Sequence, residues 1–123
     1  MAWNLDGNRP IYIQLIEEMQ LRIVTGIYPP GEKSPSVREL AAEASVNPNT
    51  MQKAFSELER SGLIITQRTS GRMVTEDVTL ISNVKNLMAD DVIAAFLSNM
   101  NHLGYQNEDT LNLLESKIKG GVS

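Results

Sequence analysis

The sequence predicts a mainly α fold with one small β-hairpin, a winged arrangement of helices followed by a C-terminal α-helical hairpin. Three observations carry that prediction. Apolar residues recur at three- and four-residue steps along much of the chain, as one face of a helix requires. Helix start and stop signals punctuate these stripes at short intervals. A single pair of β-prone runs, Leu63 to Thr66 and Met73 to Thr75, flanks the polar tip Gln67 to Arg72 and reads as a hairpin.

The first helix is expected over about Ile11 to Thr25. It follows Arg9-Pro10, stops at Gly26, and places Ile11, Leu15, Met19 and Ile23 on one face beside Ile16 and Leu21, a core stripe. Pro29-Pro30-Gly31 then makes a rigid turn, because proline fixes φ and glycine admits the backbone state that follows. Ser36 and Glu39 have capping-box spacing, so a second helix starts at Ser36 and carries Val37, Leu40 and Ala41 inward as far as Ala44. Ser45-Val46 turns the chain, and Asn47-Pro48 restarts it with asparagine as cap and proline at the first helical position. This third helix reaches about Ser61, where Gly62 supplies a left-handed stop. Met51, Ala54, Phe55 and Leu58 make its buried stripe, leaving Asn49, Gln52, Lys53 and Ser56 outside.

Two helices joined by so tight a turn form a helix-turn-helix, and the hairpin adds a wing. In that motif the second helix enters the major groove with its N-terminal residues against base edges. The residue types suit the task. Asn and Gln pair bidentately with adenine, Lys53 has the reach for a guanine or a phosphate, and the positive helix end at Asn47 to Thr50 favours a phosphate oxygen. Ser36 at the preceding helix start and Arg68 and Arg72 in the wing complete the candidate DNA surface.

The segments P-S-V-R-E-L-A-A-E, V-N-P-N-T-M-Q-K-A-F-S-E-L-E-R-S-G-L-I and R-T-S-G-R-M-V resemble the winged-helix domain of GntR-family bacterial transcription regulators. The likeness extends upstream through R-P-I-Y-I-Q-L and G-I-Y-P-P-G-E-K, covering roughly the first three fifths of the chain. The short remainder resembles the YtrA subfamily, which implies a small helical dimerisation tail in place of a large effector domain. The resemblance implies DNA contacts by Arg38, Asn47, Asn49, Thr50, Gln52 and Arg68. Three positions depart from the family pattern. Ser34 stands where leucine is usual, Pro48 replaces an arginine that would meet a phosphate, and Thr69 takes the place of a wing glycine.

Charge is distributed unevenly. From Met1 to Thr75 the cations Arg9, Arg22, Lys33, Arg38, Lys53, Arg60, Arg68 and Arg72 balance the anions Asp6, Glu17, Glu18, Glu32, Glu39, Glu43, Glu57 and Glu59. The remainder sets Lys85, Lys117 and Lys119 against Glu76, Asp77, Asp90, Asp91, Glu108, Asp109 and Glu115, so it carries the whole formal charge of −4. A neutral head with locally clustered cations still meets phosphates, while an acidic tail is held off the duplex, which implies modest non-specific affinity.

Several function classes are disfavoured. Without cysteine there are no disulfides or thiolate metal sites, and this composition is compatible with a reducing compartment. The lone histidine, His102, follows an apolar helix stretch and reads as a surface or packing residue, since a catalytic base needs an orienting partner. No phosphate-cradling glycine loop, metal-ligand cluster or nucleophile near a histidine is visible, and no cofactor is implied. No apolar run approaches the roughly 20 residues of a membrane span, and M-A-W-N-L-D-G-N lacks the pattern of a secretory signal, so a soluble, cytoplasmic protein is expected. Trp3 reads as an anchor for the N-terminal arm, with a partner-binding aromatic as the alternative.

The tail, residues 77–123 against a head of 1–76, has its own stripe. Ile81, Val84, Met88, Val92, Ala95, Phe96, Met100 and Leu103 predict a long helix from about Leu80 to His102, with Leu87, Ile93 and Leu97 widening the apolar face. Gly104 ends it, Asn107 is placed to cap a last helix, and Leu111, Leu114 and Ile118 give that helix one apolar side. So wide a face cannot be buried within one hairpin, and a second copy is the expected cover; packing onto the chain's own head and a ligand pocket around Met88, Phe96 and Met100 are the alternatives. The expected function is a homodimeric transcription regulator on a near-palindromic operator, most simply a repressor. A winged helix used for protein contacts alone is the rival, and the sequence names no small-molecule effector.

Overall fold

The structure, a computed structural model, describes residues 3–69 and 71–120. It divides into two compact units, Met1–Lys85 and Asn86–Ser123. The division falls later than the expected head boundary at residue 76, because the first turns of the long helix belong to the first unit.

In that unit α1 (Ile11–Val24) precedes α2 (Val37–Ala44) and α3 (Pro48–Arg60), followed by β1 (Ile64–Gln67) and β2 (Gly71–Val74). Leu15, Met19 and Ile23 of α1 meet Leu40 and Ala41 of α2 and Met51, Phe55 and Leu58 of α3 in one core, closed by Leu63, Ile64 and Val74. Phe55 is fully buried. Truncating such a side chain costs about 3–5 kcal/mol, part transfer energy and part cavity.

The local signals act as the sequence implies. Ser36 Oγ accepts from the Glu39 N–H at 3.0 Å while Glu39 Oε1 accepts from the Ser36 N–H at 3.2 Å, a complete capping box. Asn47 Oδ1 accepts from the Asn49 N–H at 2.7 Å, with Pro48 opening α3. Gly62, at φ +87°, turns the chain out of α3. Between α2 and α3 the turn rests on Ser45, whose φ of 57° and ψ of 46° put a non-glycine residue in the left-handed region.

β1 and β2 pair antiparallel with Ile64 opposite Val74 and Thr66 opposite Arg72. β1 lies one residue beyond its expected limits, whereas β2 starts two residues and ends one residue before its own. An isolated hairpin is marginal in water. Here the Pro29-Pro30-Gly31 turn delivers backbone to the free edge of β2. The Gly31 N–H donates to Val74 O at 2.9 Å, the Val74 N–H to Glu32 O at 2.8 Å, and the Ser34 N–H to Arg72 O at 3.0 Å. Ser34 is buried at this junction and its hydroxyl donates to Pro35 O at 3.2 Å, so a satisfied polar group fills the place of the usual leucine.

α4 (Val78–His102) begins two residues before its expected start. The Leu80 N–H donates to Asp77 Oδ1 at 3.0 Å and closes its first turn. Leu80, Ile81 and Val84 pack against the core of the first unit. Ile81 and Val84, expected on the dimer face, therefore already have apolar neighbours within their own chain.

In the second unit α4 ends at Gly104, φ +97°, and α5 (Asn107–Gly120) follows. Asn107 is the first residue of α5 rather than its cap; the Gln106 N–H instead donates to Asp109 Oδ2 at 3.2 Å. No described residue of α4 is buried, and Thr110 is the buried residue of α5. Met88 and Met100 are half-buried, whereas Val92, Phe96, Leu103, Leu111 and Leu114 are exposed.

Candidate nucleic-acid interface

The buried stripe of α3 fixes which side chains it offers to solvent. With Met51, Ala54, Phe55 and Leu58 inward, Asn47, Asn49, Gln52, Lys53 and Ser56 are exposed and Thr50 is half-buried. The free groups are chiefly amides. Asn47 spends its oxygen on the cap, and Gln52 Nε2 reaches Ser56 Oγ only at 3.5 Å, a weak contact that a base edge would outcompete. Ser36 Oγ is likewise committed to its cap, although the residue is exposed at the start of α2.

The four cations expected at the surface fall into two pairs. Arg38 on α2 and Arg68 at the wing tip are exposed and make no ion pair among the described residues. Lys53 is tethered instead: its Nζ lies 3.7 Å from the centroid of the Tyr12 ring on α1, a cation–π contact. Arg72 is tethered more firmly. Its Nε donates to Glu59 Oε1 at 3.1 Å, and its guanidinium carbon stands 5.3 Å from the Phe55 ring centroid. Glu59 Oε2 also accepts from the Thr66 hydroxyl, and this bond, then Arg72, holds the carboxyl below its ordinary pKa against the opposing effect of burial. Arg72, expected to meet DNA, is thus occupied in joining the wing to α3.

The wing tip needs no glycine at Thr69. Gly71 takes the left-handed state, φ +78°, and among the described residues Ser45 is the non-glycine that does so. Ser70 lies outside the described residues.

A second polar cluster sets α1 against α2. Arg22 is 2% exposed, and its Nε donates to Glu18 at 3.0 Å while Nη1 donates to Tyr28 Oη at 2.7 Å and Glu43 Oε1 at 3.1 Å. Trp3 covers it, with its ring centroid 4.2 Å from the guanidinium carbon, and donates from Nε1 to Glu43 Oε1 at 2.8 Å. The arm is therefore anchored on its own domain through Trp3. The Trp3 bond, then Arg22, lowers the Glu43 pKa, with burial opposing. Neither Glu59, Tyr12 nor the Arg22 cluster is marked by a local sequence signal; each pairing joins separate elements.

An amide-bearing second helix, a cap-defined turn and a hairpin carrying a free arginine define a winged helix-turn-helix protein of the DNA-reading class. The model of the bacterial regulatory proteins of the gntR family matches residues 11–74, and the chain belongs to that family. It is 36% identical over 119 residues to the HTH-type transcriptional repressor YtrA of Bacillus subtilis (strain 168), covering 94% of this chain and 92% of that one. Among solved structures, a GntR family transcriptional regulator from Listeria monocytogenes superimposes with a TM-score of 0.83 at 38% identity, over 91% of this chain and 98% of the other. The AraR DNA-binding domain in complex with operator ORX1 matches with a TM-score of 0.52 at 28% identity, over 61% of this chain and 92% of that one. The protein is a DNA-binding transcription regulator of the YtrA-like type, not an enzyme. No helix among the described residues is long and apolar enough to cross a membrane.

Proposed function

We propose that the chain acts as a homodimeric repressor that occludes a promoter by reading a near-palindromic operator, with Asn49 and Gln52 at base edges and Arg38 and Arg68 at phosphates. The observation that carries this reading is the set of exposed amides on α3 together with two exposed arginines, Arg38 on α2 and Arg68 at the wing tip, that make no ion pair among the described residues. Thr50 and Asn47 lie at the helix start, where backbone N–H groups favour a phosphate oxygen. Lys53 makes a phosphate contact only by leaving Tyr12.

In this proposal residues 1–76, joined by the first turns of α4, form the reading head, and the rest of residues 77–123 the dimerising tail. Support for the tail comes from Val92, Phe96, Leu103, Leu111 and Leu114, exposed apolar side chains at helical spacing. Met88 and Met100 extend the same stripe, whereas Ile81 and Val84 contribute to the head. Two-fold pairing sets two copies of α3 on half-sites about 34 Å apart, or a multiple of that. The relative YtrA is a repressor by name, and the resemblance to its subfamily points to a neighbouring transporter operon in the cytoplasm of a bacterium.

Selection of bound duplexes from a random pool tests the reading. Enrichment of an inverted repeat with half-sites one or two helical turns apart is expected; no enriched motif would overturn it. The rival, a protein-contact module, calls for an apolar patch on α3, yet apart from Pro48 the exposed residues of that helix are polar or charged.

A further inference from the structure

We infer that Glu59 is a positioning residue of the DNA surface, a latch that sets the wing tip against α3 and keeps Arg72 off the duplex. The inference rests on the proposed reading of DNA by α3 and the wing. One carboxylate engages both strands at directly opposed positions, Thr66 on β1 and Arg72 on β2. Among the described residues, every side-chain hydrogen bond between α3 and the two strands ends on Glu59.

The position of this carboxylate matters more than its strength. Gln67 and Gly71 form the last pair of the ladder, and Arg68 leaves the sheet immediately beyond it. At about 3.4 Å per strand residue, Arg68 lies roughly 7 Å past Thr66. The tilt fixed at the latch therefore decides where the free arginine falls relative to Asn49 and Gln52. The bonds from Gly31 and Ser34 hold the edge of β2 within the sheet, but they do not tie the sheet to the recognition helix.

Glu59 also sorts the charges. With Nε bound to the carboxylate and its guanidinium over Phe55, Arg72 is half-buried and locally neutralised. Removing the carboxylate would release a cation beside the phosphates while loosening the wing, so the two effects on binding have opposite signs. Sequence-independent attraction rises and discrimination falls.

Glu59→Gln in the full chain tests this, using the duplex enriched by selection and a random-sequence duplex across a salt series. Preference for the enriched duplex should fall about tenfold, the scale of a lost charged hydrogen bond. The salt slope on random DNA should steepen by about 0.9, one extra phosphate contact. Adding Arg72→Gln should return the slope to its original value while leaving the preference low. Thermal destabilisation with unchanged preference and slope would overturn the inference. Should Glu59→Gln fail to fold, Thr66→Val loosens one strand with the ion pair kept; reduced preference at unchanged slope is then expected, and full preference is the contrary result. Hydrogen exchange of the wing amides without DNA should accelerate in Glu59→Gln, and unchanged exchange overturns the latch. A wild-type chain that prefers no duplex would overturn the proposed function, while the exchange result still decides whether Glu59 holds the wing.

Discussion

The ammonium of Lys53 rests 3.7 Å from the ring centroid of Tyr12, so a cation on the recognition helix is parked on α1 rather than directed along the amide row. Such a contact at an exposed site contributes about 0.5–1 kcal/mol. Lys53→Met and Tyr12→Leu should each destabilise the fold by about that amount. The double variant should cost less than the sum, because the shared contact is lost only once. Denaturant midpoints of the four proteins in the cycle check this, and strict additivity would show that the pair does not interact.

Gln52 has a different role. Its exposed amide has only a weak 3.5 Å contact to give up, so Gln52→Ala should cost about 1–3 kcal/mol on the enriched duplex and little on random DNA. Gel-shift titration on both duplexes measures the difference. Equal losses would assign Gln52 to the backbone rather than to a base.

Arg68→Ala should weaken binding to every duplex and reduce the salt slope by about 0.9. A slope that does not move would take the wing tip out of the phosphate contacts.

The tail prediction concerns mass rather than affinity. Val92→Asp puts a charge on an exposed apolar position of α4, which a dimer interface cannot bury without pairing it. Sedimentation should show the wild type as a dimer and the variant shifted to monomer at micromolar concentration, with unchanged helicity. A variant that stays dimeric places the interface elsewhere.

Acid should detach the arm in a defined window. Because Trp3 and Arg22 favour the ionised form of Glu43, its folded pKa lies below the ordinary glutamate value of about 4.3. The contact is fully present above that ordinary value and is lost as pH falls through the lower folded value. Trp3 is the chain's single tryptophan, so its fluorescence follows the arm directly. The wild type should titrate below pH about 4.3, and Glu43→Gln should remove that transition. An identical curve in the variant would mean that another group governs the arm.

How much of this was legible depends on the distance over which each signal acts. The capping box of Ser36 and Glu39, the Asn47-Pro48 start and the Gly62 stop are settled within one helical turn, and the sequence places them correctly. Ser34 could be located but not interpreted, since its burial depends on Arg72, 38 residues away. Glu59 reads as an ordinary surface charge and Arg72 as a DNA contact, because nothing in either neighbourhood shows that the wing folds back onto the last turn of α3. The periodicity of α4 identifies a helix, but periodicity does not say which neighbour covers a stripe. Ile81 and Val84 thus turn to the head although they continue the pattern of Val92 and Phe96.

Ser45 holds the bend between α2 and α3 in a left-handed backbone state that costs an L-residue roughly 1–2 kcal/mol. Glycine would relax that bend and a β-branched residue would resist it. The angular stiffness of the reading head can therefore be tuned through the chirality of one pivot, leaving every side chain of the α3 amide row untouched.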